Sequence, residues 1–455
     1  MRSADTLPTD VLVIGGGACG ALVALHLLAH GGLRIALAEP RTVPAQGAAY
    51  STARVEHVLN VPAGRMSAFD AVPGDFVDWL RAQPEGAGLD DAARAALFAP
   101  RRAYGRYLHA RLQAHPARDA LAVHADAVVD LVPEQDGYRA VFASGAHLHA
   151  RAVVLATGNQ PAPLPVPAPT AGTIEAWDYA AVAAIPAEAS VCIVGAGLSM
   201  VDVVLTLHAN GHRGPIRALS RHGLMPLAHA PGTRPQPGDI AAMLPLGVRA
   251  RMRLLRQWVA QARAEGRPWQ DAHERLRPHV RTLWQAWPEV ERRRFLRHAV
   301  RLWDIHRHRI APHVAAVVEG MRDTGRVLLE AGRVSTIVPT AQGVRIGWTP
   351  RHGAPRSWQA DVVVNATGME KRLSRAPGAL LPALHARGLV RAGPLDLGIA
   401  TAGEGVVIGT DGAPVPNMWT LGANRIGDLW ETIAMPELRG QAERVAAAVA
   451  ADLAR

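Results

Sequence analysis

Two Rossmann-like α/β units, the second carrying a helical insertion, are the fold the sequence predicts. Three observations carry that prediction. An apolar run enters a glycine turn and then a helix over residues 11–30, a second such run occupies 191–208, and a stretch from about Gly238 to Met321 is rich in Arg, Trp and Leu at helical spacing. At roughly 150 residues per domain, a chain of 455 residues suits about three packing units or two domains with a large insertion. An apolar content of 49% against 19% charged excludes a disordered chain. Collagen is excluded because the 43 Gly and 34 Pro follow no three-residue period.

The net charge of +10 says little about partners. Lys371 is the only lysine among the 49 cations, and the arginines are scattered rather than interleaved with stacking aromatics, so no nucleic-acid partner is expected. Cys19 and Cys192 are too few and too badly spaced for a disulfide framework or a zinc site, and they suit a reducing cytoplasm; no metal is expected. The first ten residues hold no apolar signal core. Val11 to Ala38 could mimic a membrane span, but glycines at 15, 16, 17, 20, 31 and 32 break it into strand, helix and strand, so no membrane association is expected.

In the first unit, Val11-Leu12-Val13-Ile14 reads as a central parallel strand covered on both faces. Gly15, Gly17 and Gly20 then form GxGxxG, for a tight turn, close approach of a pyrophosphate and helix packing. A helix over Ala21 to His30 follows, and with Ala18 and Cys19 the turn presents amides to phosphate. Arg34 to Ala38 is the second strand, ending in Glu39, where a carboxylate receives ribose hydroxyls. A dinucleotide with a free ribose diol binds here, and the position at the extreme N-terminus favours FAD.

The second run, Val191-Cys192-Ile193-Val194, leads into Gly195, Gly197, Leu198 and Ser199 and an apolar helix through His208. Met200 replaces the third glycine, loosening the helix–strand contact but sparing the two phosphate-facing glycines. After the strand Ile216 to Leu219, Ser220-Arg221-His222 takes the place of the acid. Arg221 suits a 2′-phosphate, so NADPH is expected over NADH.

With these two motifs, the segments Val153 to Gly158 and Val362 to Gly368, each ending in Ala-Thr-Gly, make the chain resemble the flavoproteins with two dinucleotide-binding domains. Trp419 to Leu429 resembles their closing FAD segment. More narrowly, His57 to Met66, Pro100 to Leu108 and Trp303 to Arg309 make it similar over nearly its full length to an FAD/NAD(P)-binding protein family, itself similar to flavin-containing and N-hydroxylating monooxygenases. The resemblance implies cofactor roles for Thr157, Gly158, Gly422, Asn424 and Asp428. It also implies an FAD domain over 1–165 and 369–455, with an NAD(P)H domain over 166–368 entered through the stiff proline-rich segment from Pro161 to Pro169.

The disulfide reductases of that superfamily need a redox-active cysteine pair, which Cys19 and Cys192, both read as lying inside phosphate-binding turns, do not supply. Hydride transfer from a nicotinamide to FAD remains, with electrons passed to oxygen or a second substrate. For the oxygen branch, Asn60 resembles the asparagine that monooxygenase relatives place beside the flavin. Arg65, as a stabiliser of the reduced ring, and Met66 would flank the flavin. Arg102, Tyr104, His306 and Arg309 are candidates to grip an anionic substrate. The insertion is read either as a cap over the flavin–nicotinamide cleft that builds the substrate pocket or as a packing or dimer module. No Gly-x-Ser-x-Gly elbow, Walker loop or HExxH helix occurs. The leading expectation is an NADPH-dependent FAD monooxygenase on a small, anionic substrate, with nitrogen hydroxylation as the narrower reading. A reductase or dehydrogenase without oxygen insertion, and a flavin-binding sensor or electron-transfer protein, stand as alternatives. The sequence leaves the substrate and the oligomeric state open.

Overall fold

The structure, a computed structural model, describes residues 9–41, 43–233 and 239–455. The start of the N-terminal segment read for a signal core and Gly238, the expected start of the insertion, lie outside them. The chain forms two compact units. One comprises residues up to 53, 62–160 and those from 371 onward; the other comprises 54–61 and 161–370. Residues 54–61, which the sequence assigns to the FAD domain, pack with the other unit. The reason is a set of side-chain anchors described below.

The first unit is built on a nine-stranded sheet. Its parallel part runs Pro414–Thr420, His147–Leu155, Thr9–Ile14, Ile35–Ala38, Leu121–His124. Val13 pairs with Leu37 on one side and Val154 on the other. Every residue of Thr9–Ile14 is buried, as a strand between two covered faces requires. An antiparallel hairpin, Val128–Glu134 with Gly137–Phe142, joins at the edge of His147–Leu155. The sequence reading did not anticipate it.

The second unit holds a seven-stranded sheet in the order Arg356–Ala360, Gly343–Pro350, Val327–Thr340, Ile216–Ser220, Val191–Val194, Val362–Asn365, Thr173–Glu175. From Val327–Thr340 onward in that order the pairings are parallel, and the first two strands fold back antiparallel. Val327–Thr340 runs 14 residues. A bulge between Val334 and Thr336 lets it bend out of the parallel sheet into the antiparallel one.

The helical insertion is real but shorter than the sequence suggested. Its helices are Val248–Ala264, Gln270–Leu276, Val280–Ala286, Glu289–His298 and Val300–Arg307. The following helix, Pro312–Asp323, buries Val314, Ala315, Val318 and Met321 and packs on the Leu198–Ala209 helix and the next strand, so it is a crossover of the sheet itself. Inside the insertion, Ile240, Met243, Leu255, Ala272, Leu276 and Leu283 form a core flanked by Leu254, Trp258 and Trp303. Arg251 fastens it: its guanidinium donates to the carbonyls of Met243 (2.8 Å), Leu283 (2.7 Å) and Leu244 (3.0 Å) and lies 4.2 Å from the Trp287 ring. Among the described residues no helix is long and apolar enough to cross a membrane.

Candidate cofactor-binding sites

The strand Thr9–Ile14 has its chain successor on one side and a much later strand on the other. The two connections leave in opposite directions, which opens a crevice at its C-terminal end, where Gly15 begins the turn. Gly15 has φ +100°, and a Cβ on it would lie 2.3 Å from the Ala156 carbonyl oxygen. A Cβ on Gly20 would lie 1.9 Å from the carbonyl oxygen of Gly15, so the helix sits directly on the turn. That helix starts at Ala18, earlier than expected, with Gly17 as its N-cap and no side chain capping it. Its first amide donors are therefore not taken by a capping oxygen and point where an anion would sit.

Glu39, 3% exposed, accepts from the amide of Gly16 (2.9 Å) and from that of Arg41 (3.0 Å). Its carboxylate is thereby fixed against the turn it is expected to serve. Two residues that sequence reasoning missed close the same turn. Ala45, held at φ +77°, donates its amide to the carbonyl of Gly16 at 2.6 Å, and the Cα of Gly47 lies 3.3 Å from where Gly17 would carry a Cβ. A left-handed alanine stores strain, and it lies here against the first glycine turn. The only sequence signal is the turn-forming Pro44-Ala45-Gln46-Gly47.

Thr157, Gly158 and Asn424 meet at the ends of neighbouring parallel strands. The Asn424 amide donates to Thr157 Oγ1 (3.0 Å) and Thr420 Oγ1 (3.0 Å). Gly158, at φ +67°, has open space where a side chain would be. Gly422, at φ +66°, abuts the Cys19 sulfur, 3.0 Å from its ideal Cβ. Asp428 accepts from the Thr401 amide (3.0 Å) and hydroxyl (2.7 Å).

The second turn repeats the first with one difference. Gly195 has φ +122°, and its Cβ would lie 2.0 Å from the Ala366 carbonyl oxygen. Gly197 caps the helix Leu198–Ala209 without a side-chain bond and has open space at its Cβ position. Met200 is buried at the place of Gly20, and Ser199 accepts from the Trp177 indole at 3.2 Å. Arg221 is exposed just past Ile216–Ser220 and pairs with no carboxylate among the described residues. Arg301, from the insertion, donates to the carbonyls of Ala196 (2.8 Å) and Leu224 (2.6 Å), which ties the insertion to this turn. With Arg221 and Arg351 it adds to burial in holding the His222 ring below its usual pKa.

Asn60 and Arg65 fall in different units. Asn60 is half-buried; its carbonyl accepts from His229 Nε2 at 2.9 Å, and its side-chain amide makes no hydrogen bond among the described residues. Arg65 is exposed at the end of the 3-10 turn Ala63–Arg65, and Met66 is buried beneath it. The substrate candidates read differently in three dimensions. Tyr104 is wholly buried among Tyr50 (4.8 Å), Phe76 (5.0 Å) and Tyr107 (5.4 Å), so it is core. Arg102 donates to the Ala53 carbonyl at 3.3 Å. Arg309, 4% exposed, is ion-paired with buried Glu274, so its charge is neutralised rather than offered to an anion.

His306 stacks on His273 with ring centres 5.0 Å apart and donates through Nδ1 to the Leu302 carbonyl (2.7 Å). Burial, with smaller contributions from His306 and Arg309, pushes the His273 pKa down to about 3. The unfolded chain accepts a proton near pH 6.5 that the folded state refuses, so this stability is fully present above about 6.5 and is lost as pH falls toward 3. Thermal melts should show the protein losing about 2 kcal/mol from this group between pH 7 and 5. A His273→Phe variant should lack that part of the slope; an unchanged slope would mean that the ring is protonated in the fold.

Residues 12–160 match the FAD-NAD(P)-binding family model. The matched segment begins in the strand that leads into the first glycine turn. No curated protein sequence matches the chain. Among solved structures, the chain is similar to the ornithine N-hydroxylase KtzI of Kutzneria sp. 744, with reduced FAD, NADP+ and L-ornithine, at TM-score 0.69 and 14% identity over 98% of this chain and 99% of that one. It is similar to the ornithine hydroxylase PvdA of Pseudomonas aeruginosa at TM-score 0.66 and 16% identity, over 98% and 100%. A thioredoxin reductase of T. acidophilum follows at TM-score 0.54 and 12% identity, over 98% and 99%. At such identities the likeness establishes the fold, which these oxygenases and disulfide reductases share.

The cysteines bear on that difference. Cys19 lies in the first turn of the first glycine helix, and Cys192 lies inside a strand rather than in the turn. Burial pushes each thiol up to about 12, where neither is a nucleophile at neutral pH.

Proposed function

We propose that the chain is a FAD-dependent, NADPH-consuming monooxygenase that oxidises a small, anionic substrate at an amine nitrogen. The observation that carries the cofactor reading is the contrast between equivalent strand ends: buried Glu39 after the first glycine turn, exposed Arg221 after the second. A carboxylate receives a ribose diol and repels a 2′-phosphate, whereas a guanidinium binds that phosphate through paired hydrogen bonds. The arrangement suits both groups, since Gly158 in the first unit and Gly197 in the second turn face open space and neither helix start has its amides capped by a side chain. When bound, FAD supplies the redox chemistry that takes electrons from the nicotinamide to oxygen. The chain's residues bind and orient: the two glycine turns hold pyrophosphates, Glu39 holds a ribose, Arg221 selects the phosphorylated nicotinamide dinucleotide, and the Asn60 amide offers a hydrogen bond.

Two thiols with raised pKa, one in each unit, argue against dithiol chemistry, and the end-to-end likeness to ornithine hydroxylases supports an amine substrate that carries a carboxylate. Arg221→Ala should raise the KM for NADPH about 10- to 100-fold and leave that for NADH unchanged, which steady-state kinetics would read directly. Oxygen uptake matched to NADPH oxidation and stimulated by ornithine or a related amine is the expected result for the wild type. Turnover that persists unchanged without oxygen would replace this reading with a reductase.

A further inference from the structure

Residues 54–61 are flanked in sequence on both sides by the first unit yet pack with the second. Three contacts fasten this strap to the unit. Arg54 donates to the side chain of Asn210, the residue that ends the helix Leu198–Ala209, at 2.7 Å. His57, 1% exposed, places Nε2 at 2.9 Å from Thr206 Oγ1 and donates to the Asp202 carbonyl at 3.1 Å, with its ring 5.3 Å from that of Tyr179. Finally, His229 Nε2 donates to the Asn60 carbonyl at 2.9 Å.

The order of these contacts gives the strap a direction. Arg54 meets the helix at its end, at Asn210, and His57 meets it further back, at Asp202 and Thr206, so the strap runs back along the helix toward the end that Gly197 caps. Asn60 follows three residues later, held by His229.

We propose that His57 and His229 are positioning residues that hold Asn60 to the second glycine turn, so that Asn60 belongs to the nicotinamide-binding unit and responds to its occupancy. The proposal rests on the reading that this unit binds NADPH. A polar hydrogen-bond pair under a buried imidazole is costly to strip, so replacing His57 by an apolar ring leaves Thr206 under-satisfied and loosens the strap at its middle.

Amide hydrogen exchange on the FAD-loaded protein, with and without NADP+, tests it. The expected result is that residues 57–61 and the helix Leu198–Ala209 slow together on adding NADP+, by about tenfold, while 62–70 do not. His57→Phe and His229→Leu should each speed exchange in the strap about tenfold without changing residues 9–30, and His57→Gln should restore part of the protection. NADP+ slowing the helix but not the strap would overturn the proposal and leave the NADPH reading standing. NADP+ slowing neither would overturn the NADPH reading and with it the response to occupancy. A strap indifferent to both histidine substitutions would overturn the anchoring; should His57→Phe fail to fold, the half-buried His229 decides.

Discussion

Gly20→Ala should strip the protein of its flavin. The added Cβ would lie 1.9 Å from the Gly15 carbonyl oxygen and 3.0 Å from its carbonyl carbon, both backbone atoms of the turn itself. No side chain can swing aside to make room. The helix Ala18–His30 must lift off the turn, and with it go the amides that receive the pyrophosphate. We expect FAD affinity to fall about 100-fold, near 2.7 kcal/mol, measured by flavin fluorescence titration of the apoprotein. Met200→Gly, at the same place in the second turn, should leave FAD binding unchanged. A Gly20→Ala protein with wild-type affinity would show that the helix and turn have slack that the geometry denies.

Glu274→Gln should be among the most destabilising single substitutions in the insertion. Glu274 and Arg309 are both buried and ion-paired, and Arg277 approaches the other carboxylate oxygen at 3.9 Å. Removing the carboxylate charge leaves a buried guanidinium without its counter-charge, which typically costs about 3–5 kcal/mol. Replacing both partners together, as in Glu274→Leu with Arg309→Met, should recover most of that, because the Arg309 charge is then removed with its partner. Urea unfolding followed by tryptophan fluorescence would report it, since the Trp269 ring lies 6.0 Å from the Arg309 guanidinium. A loss below about 1 kcal/mol for the single substitution would place the pair in contact with water.

These two residues also show what the sequence could and could not reveal. Gly20 is legible because strand, turn and helix are contiguous, and the reason each glycine is needed can be worked out from the local backbone. Arg309 was misread. In a His-Arg-His-Arg run it looks like a cation offered to an anion, and only the partner 35 positions away shows that it faces inward. The assignment of residues 54–61 failed for the same reason. His57 and Asn60 lie between two segments of the first unit, and their anchors are 145 and 169 positions distant. No periodicity carries that information. Ala45 is a different kind of miss: alanine in a left-handed conformation gives no compositional sign, whereas Gly47 beside it does. The α/β class, the two glycine turns and the existence of the insertion all rest on local pattern. The end of the insertion did not, because Pro312–Asp323 has a helical period that suits either an added helix or a crossover of the sheet.

The most direct test of the whole account is the visible spectrum of the purified protein as NADPH is added without oxygen. A yellow protein that bleaches on addition of NADPH, more readily than with NADH, and recovers its colour when air is admitted is the expected result. A protein that takes up no FAD after reconstitution, or one whose flavin colour NADPH leaves untouched, would contradict it.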